Sequence, residues 1–174
     1  MLGLPPSTRL SAPALSREAP AQKAPTLFPQ GIERGVTVAK QRYPEPTVGA
    51  VILNPHGEVF LMRSHKWRDR YVIPGGHIEL GERMEDALRR EIKEETGLDI
   101  YGIEFIAFQE FIHNDAFWKR RHFVFFDYLC RTDSLDVTLN DEAQSYVWVS
   151  LEDALDLPVE PYTRALLLKV TGRA

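Results

Sequence analysis

The sequence predicts one α/β domain preceded by a short extension. Segments rich in β-branched and aromatic residues alternate with amphipathic segments of helical period, a pattern typical of folds that pack helices against a sheet. The length of 174 residues fits a single domain with some additional chain. Hydrophobic residues make up 44% and charged residues 26% of the chain, a balance that excludes a mainly disordered or fibrous protein.

The extension is predicted at residues 1–40, where prolines are concentrated. Six of the twelve prolines lie within the first 31 residues, among Ala and Ser and without the period of a strand or a helix. We therefore expect residues 1–40 to be flexible or docked on a partner, and residues 41–174 to form the domain.

Six strands are predicted from runs of β-branched and aromatic residues. The turn Asn54-Pro55-His56-Gly57 joins the first two strands as a hairpin, and the turn Pro74-Gly75-Gly76 closes the third. The strands are expected at about residues 48–52, 58–63, 71–73, 100–112, 122–131 and 146–149.

A well-specified helix is predicted over residues 84–96. Its first turn is acidic and Gly97 follows its end, which suits the helix dipole and a left-handed cap. Four apolar residues fall on one side at helical spacing and are expected to pack onto the sheet. They are Met84, Ala87, Leu88 and Ile92.

Two shorter helices are predicted near the end of the chain. One opens at Ser150, where Ser-Leu-Glu-Asp matches a capping box with Asp153 as its acidic member, and it ends at Pro158. The other is expected over residues 162–170, a short apolar segment that packs the end of the chain onto the domain.

Three glutamates share one face of the long helix, because Glu91, Glu94 and Glu95 stand at positions i, i+3 and i+4. Carboxylates at this spacing repel one another, so they indicate either a solvated acidic surface or a bound cation. The upstream Gly75 and Gly76 let the backbone approach an ion closely. Mg²⁺ prefers oxygen ligands and commonly binds carboxylates together with substrate phosphates, but spacing alone leaves both interpretations open.

Residues Gly76 to Leu98 resemble a complete Nudix box. The resemblance is carried by Gly76, five residues, Glu82, seven residues, and then Arg90-Glu91-Ile92-Lys93-Glu94-Glu95-Thr96-Gly97-Leu98. It implies an α/β/α sandwich with a mixed β-sheet, and hydrolysis of a pyrophosphate linkage in a nucleoside diphosphate derivative. It also implies that Mg²⁺, with Mn²⁺ as the alternative, is held by the Gly76 carbonyl and by Glu91, Glu94 and Glu95.

The same resemblance assigns supporting and catalytic roles. Arg90 is expected to orient a catalytic glutamate and Glu82 to pair with Arg90. Members of the family place the general base either on the box helix, here Glu94 or Glu95, or on a downstream loop. Glu142 resembles that loop acid, and its neighbour Asp141 competes for the role.

Three further residues are predicted to bind substrate. Arg63 and Arg70, chosen from a basic stretch before the Gly-Gly turn, are expected to present positive charge to phosphates. Trp118 lies in a polar, basic hairpin tip at residues 114–121 and is expected to cover a nucleotide or form a subunit contact.

The first substrate candidates are nucleoside or deoxynucleoside triphosphates, including oxidised ones. ADP-ribose or a nucleotide sugar comes second, a non-catalytic nucleotide-sensing module third, and an RNA 5′-end pyrophosphohydrolase fourth. The net charge of −4 argues against a stable nucleic-acid complex, because such binding needs a broad basic surface.

Composition also bounds the location. No apolar run approaches the roughly 20 residues of a membrane-spanning helix, so no membrane association is expected. The single cysteine, Cys130, forms no intramolecular disulfide and fits a reducing, cytoplasmic compartment. The oligomeric state stays open, with a homodimer as one candidate.

Overall fold

A seven-stranded mixed β-sheet is the central layer of the part of the chain that the computed structural model describes, residues 43–173. The predicted extension at residues 1–40 lies outside the described residues. The strands are β1 (Glu45–Leu53), β2 (Val59–Ser64), β3 (Arg70–Val72), β4 (Gly75–His77), β5 (Tyr101–Ile112), β6 (His122–Arg131) and β7 (Ser145–Val149).

The strand order is β3-β2-β1-β6-β5, with β4 paired to β1 and β7 paired to β2. β1 and β6 run parallel along their whole length, and the other pairs are antiparallel. On its other side, β1 pairs with β4 through residues Thr47 to Gly49 and meets β2 at Leu53. This division of one strand edge between two partners leaves space between β2 and β4.

Helices cover both faces of the sheet, which confirms the predicted α/β/α arrangement. The helices are α1 (Met84–Thr96), α2 (Leu151–Ala154) and α3 (Pro161–Val170). On one face, Leu88 and Ile92 of α1 share a buried cluster with alternate residues of β1. On the other face, Ala154 of α2 and Leu167 of α3 pack against Val51 and its neighbours. Strand β1 is therefore buried on both sides.

The box helix has the predicted bounds, and Gly97 ends it with a φ of 74°. Its apolar side differs from the prediction at one end. Met84 is the first residue of α1 and keeps 43% of its surface exposed, so the packed face begins one turn later, at Ala87.

Helix α2 is shorter than predicted. Ser150 caps it by accepting a hydrogen bond from the Asp153 N–H, as the capping box predicts. The segment that follows runs along β3 instead of continuing the helix. The backbone N–H of Tyr71 donates a hydrogen bond to the carbonyl of Pro158, and the Tyr71 carbonyl accepts one from the N–H of Glu160. Within residues 43–173, no helix is long and apolar enough to cross a membrane.

The Gly-Gly turn forms a short strand that the sequence did not indicate. Gly75 has a φ of 150°, and a Cβ on it would lie 2.1 Å from the carbonyl oxygen of Val48. Only glycine allows so close an approach of the two backbones. The pairing with β1 holds Gly76 beside the box helix.

Candidate active site

A cavity of about 420 Å³ opens in the space between β2 and β4. Its volume falls in the range of about 300 to 1,000 Å³ that is usual for small-molecule sites. It brings together the residues predicted to bind metal or to catalyse. They are Gly76, Arg90, Glu91, Glu94, Glu95 and Glu142.

Arg90 joins the box helix to the loop before it. Its guanidinium donates two hydrogen bonds of 2.9 Å to the Glu82 carboxylate and one of 3.0 Å to the carbonyl of His77. A further bond of 2.9 Å goes to Oε1 of Glu91. The hydrogen bonds from Arg90 lower the pKa of Glu82 to about 2. The Arg90 guanidinium thus contacts both Glu82 and Glu91, and its role in orienting a catalytic glutamate stays a prediction.

Arg90→Lys is expected to weaken metal affinity or turnover by about 10- to 100-fold, because a lysine cannot reproduce the planar fork that holds Glu82 and Glu91 together. The measurement is the Mg²⁺ half-saturation constant and kcat. Arg89→Lys is the matched control, since Arg89 points away to the carbonyl of Ile100. An unchanged metal dependence in Arg90→Lys would contradict the positioning role.

Glu95 is buried, with 4% of its surface exposed. Its Oε2 accepts a hydrogen bond of 2.8 Å from the N–H of Gly75. Burial raises the pKa of Glu95 to about 8, and the nearby charges of Glu142 and Glu91 act in the same direction. The helix therefore presents a carboxyl that favours protonation until a positive charge compensates its burial.

Gly76 gives the Glu91 carboxylate access to the backbone. A Cβ at this position would lie 2.4 Å from Oε2 of Glu91, so any larger residue displaces the carboxylate. A backbone carbonyl with three carboxylates is an oxygen-only donor set that fits a hard divalent cation. In residues 43–173, no three acidic, His or Cys side chains converge as a ready-formed metal site. Glu91 accepts a hydrogen bond from Arg90, and Glu95 accepts one from the Gly75 N–H. The argument for a cation at this position therefore depends on the oxygen chemistry of these residues and on the cavity that they all line.

Glu142 reaches the cavity because its loop is attached to the end of α1. Thr138 and Asn140 donate backbone hydrogen bonds of 2.9 and 3.2 Å to the carbonyls of Thr96 and Glu95. The Glu142 carboxylate forms an ion pair with Lys66 across the cavity mouth. Glu142 and the glutamates of the box helix thus line one cavity.

Arg63, Arg70 and Trp118 are absent from the described residues that line the cavity. Arg63 donates to the carbonyl of Asp69, and Arg70 donates to that of Val159. Trp118 is half-exposed beneath the Lys119 ammonium, 3.9 Å from the ring centre. These three residues stay predictions for substrate binding that the geometry does not bring to the site.

Lys66, from the same basic stretch, and Phe117, from the same hairpin, line the cavity instead. Lys66 lines the cavity because a 3-10 turn over His65–Trp67 interrupts the strand alternation on which the choice of arginines depended. Phe117 lines the cavity in place of Trp118. The backbone N–H of Trp118 donates a hydrogen bond to the carbonyl of Lys66, which holds the hairpin beside the 3-10 turn.

An aromatic wall forms one side of the cavity. Trp67 and Phe117 have ring centres 4.7 Å apart, and Phe125 and Tyr162 have ring centres 5.8 Å apart. Phe123 completes the wall by contacting Phe117 and Phe125. Tyr162, at the start of α3, also lines the cavity.

Asp127 and Glu160 lie deeper in the same cavity and were not predicted. Each has 2% of its surface exposed. Asp127 Oδ2 accepts a hydrogen bond of 3.0 Å from the Gln109 amide. Burial raises the pKa of Asp127 to about 6, the Gln109 bond lowers it, and the Glu160 charge raises it. The only local signal for Asp127 is one acid within an apolar strand.

Asp127→Asn is expected to raise the free energy of unfolding at about pH 8 by on the order of 3 kcal/mol, because the wild type must bury a charged carboxylate at that pH. The folded-state pKa of about 6 lies above the ordinary 3.8, so wild-type stability falls as pH rises between these values. The asparagine removes that loss, and the advantage vanishes below about pH 4. Urea unfolding of the wild type and the variant at about pH 8 and about pH 4 measures the difference in the free energy of unfolding. The same difference at the two pH values would contradict the burial of a charged Asp127.

The described domain matches the family model of the NUDIX domain over residues 43–170. The chain is similar to the nucleoside triphosphatase NudI of Enterobacter sp. (strain 638), with 35% identity over 101 residues, 55% of this chain and 72% of the relative. NudI of Escherichia coli (strain K12 / DH10B) is 35% identical over 104 residues, 56% of this chain and 74% of the relative.

Solved structures show the same fold. A MutT NUDIX hydrolase from Burkholderia pseudomallei superposes with a TM-score of 0.61 at 26% identity, covering 74% of this chain and 99% of that chain. The NUDIX domain of Shewanella oneidensis NrtR, complexed with ADP ribose, superposes with a TM-score of 0.64 at 20% identity. That likeness covers 76% of this chain and 90% of that domain, and it supports the fold alone.

Proposed function

Because this chain belongs to the Nudix hydrolase family, we propose that it hydrolyses a nucleoside or deoxynucleoside triphosphate, oxidised ones included, with Mg²⁺. Family membership makes the chain a pyrophosphohydrolase, and Nudix hydrolases generally use divalent metal ions. The NudI relatives support the triphosphate as substrate. The observation that carries the proposal is one cavity lined by the box glutamates and by an aromatic wall.

The proposed cation ligands are the Gly76 carbonyl, Glu91, Glu94 and Glu95. A divalent ion held by these ligands would neutralise negative charge on the polyphosphate and would make the attacking water more acidic. Glu91 is held for this role by Arg90, and Glu95 by the Gly75 N–H. Mg²⁺ is the first candidate and Mn²⁺ the alternative, since both suit oxygen ligands.

The proposed general base is Glu142, with Glu94 and Glu95 as the rivals on the box helix. Glu142 accepts the proton of the attacking water at its carboxylate. Lys66, which pairs with that carboxylate, adds positive charge where the phosphates lie. The aromatic wall orients the nucleoside by stacking on the base, which keeps the polyphosphate at the acidic end.

A reducing, cytoplasmic compartment is part of the proposal. Its support is Cys130, a free thiol buried in the core. A homodimer stays an open prediction.

The test is a panel of substrates incubated with Mg²⁺, with products separated by anion-exchange chromatography. The proposal predicts a nucleoside monophosphate and pyrophosphate from a triphosphate. Faster release of AMP from ADP-ribose would assign the nucleotide-sugar alternative, and release from RNA 5′ ends would assign the RNA alternative. Metal-dependent binding without turnover would make the chain a sensing module and would overturn the proposal.

A further inference from the structure

The deep end of the cavity carries hydrogen-bond acceptors that a polyphosphate cannot use. Asp127 and Glu160 line it together with Gln109. Carboxylates repel phosphate oxygens, so these groups face the part of the substrate that carries hydrogen-bond donors. In a nucleotide, the base carries N–H donors.

Glu160 supplies an acceptor without a partner. Its Oε2 caps α3 by accepting hydrogen bonds of 2.9 and 3.0 Å from the N–H groups of Tyr162 and Thr163. Its Oε1 is buried and has no hydrogen-bond partner among residues 43–173. A buried acceptor without a partner is costly, which indicates a ligand donor at this position.

Asp127 and Gln109 supply further acceptors beside it. The Gln109 amide nitrogen donates to Asp127 Oδ2 and, at 3.4 Å, to the carbonyl of Tyr162, so its own oxygen is available as an acceptor. The other oxygen of Asp127, Oδ1, lies against Gly49, where a side chain would crowd it. A Cβ there would lie 2.7 Å from Oδ1 and 2.9 Å from Cδ1 of Ile73.

The bases differ in what they offer such a set of acceptors. The 2-amino-6-oxo edge of a guanine-type ring presents an N–H and an NH₂ on adjacent atoms. Adenine and cytosine present an amino group next to an acceptor nitrogen. Uracil and thymine present one N–H between two carbonyl oxygens, which two carboxylates repel.

We propose that Glu160, Asp127 and Gln109 read the base and select a triphosphate whose ring has a guanine-type 2-amino-6-oxo edge. The N–H and NH₂ of that edge donate to the carboxylates, and the ring stacks on Phe125 and Tyr162. This inference rests on the proposed function, because it names the base of the triphosphate.

The test compares GTP, ITP and XTP, whose bases differ only in the group at ring position 2, which is an amino group, a hydrogen or an oxygen. The wild-type kcat/KM is expected to fall by about 10- to 100-fold from GTP to ITP and further to XTP. Glu160→Gln keeps an oxygen for the α3 cap and replaces the unpartnered acceptor by an N–H donor. This variant is expected to lose the preference for GTP over ITP and to gain on XTP.

Glu152→Gln, a matched change at an exposed position of α2, is expected to keep the wild-type preference. If Glu160→Gln fails to fold, Asp127→Asn tests the same preference. Equal kcat/KM for GTP and ITP in the wild type, a preference for UTP or TTP, or an unchanged preference in folded Glu160→Gln would overturn the inference.

Calorimetric binding of GMP and IMP without metal separates this inference from the proposed function. Tighter binding of GMP supports the base site even where no nucleotide is hydrolysed. Equal binding, together with triphosphate turnover, overturns the base site and leaves the hydrolase intact.

Discussion

Glu95→Gln and Glu94→Gln are each expected to lower kcat for triphosphate hydrolysis by about 10²- to 10³-fold, with folding preserved. The amide removes a negative ligand charge at the point where a cation must balance the polyphosphate. The side chain of Glu94 is the more exposed of the two, at 59% of its surface, and its Oε2 lies 3.6 Å from Nη1 of Arg90. The measurement is Mg²⁺-dependent release of pyrophosphate.

Stability separates a lost ligand from a lost fold. The amide oxygen of a glutamine at position 95 still accepts the Gly75 N–H, and the cost of burying a charge disappears. We therefore expect thermal unfolding of Glu95→Gln at or above the wild-type temperature. Glu85→Gln, on the exposed first turn of the same helix, is the control and should keep full turnover. Near-normal turnover in either test variant would contradict its assignment as a metal ligand.

Glu142→Gln is expected to lower kcat by about 10²-fold or more while KM changes little, as is usual for loss of a general base. The amide cannot accept the proton of the attacking water. It can still accept a hydrogen bond from Lys66, so the loop position is kept. The measurement is the pH dependence of kcat in the wild type and the variant.

Asp141→Asn tests the neighbouring acid with the same change in charge. Asp141 is exposed and, unlike Glu142, is absent from the described residues that line the cavity. It is expected to retain wild-type kcat. A large loss in Asp141→Asn with none in Glu142→Gln would assign the base to Asp141, and a loss in neither would return the role to the box helix.

Local signals predicted most of the fold. The box helix runs over the predicted residues, because its dipole pattern and Gly97 define both ends. Strand β4 was missed, since three residues with two glycines have no strand propensity and pair only because β1 passes beside them. Helix α2 was predicted too long for a related reason. The backbone of residues 158–160 bonds to Tyr71, a contact that no local pattern reveals.

The site was predictable where spacing along one helix defines it. Glu91, Glu94 and Glu95 are brought to one cavity by the geometry of α1. Residues that reach the site from separate segments were harder to identify. Lys66 lies in a 3-10 turn outside the strand alternation.

Asp127 and Glu160, the acids proposed to bind the base, were likewise hard to identify because they come from separate segments. Asp127 stands in the middle of an apolar strand, and Glu160 precedes Pro161 as an ordinary helix cap. Their common position depends on the packing of β6 against α3, which sequence spacing does not encode. A single acid in a buried strand is the one signal that points to Asp127.

We propose above that this chain hydrolyses a nucleotide pyrophosphate bond with a divalent ion held by the box. The most direct measurement is turnover of nucleoside triphosphates by protein stripped with a chelator, followed by titration with Mg²⁺. We expect no turnover in the chelator and saturable recovery with Mg²⁺, with the recovery lost in Glu94→Gln. Equal turnover with and without the chelator, or nucleotide binding without turnover at saturating Mg²⁺, would contradict it.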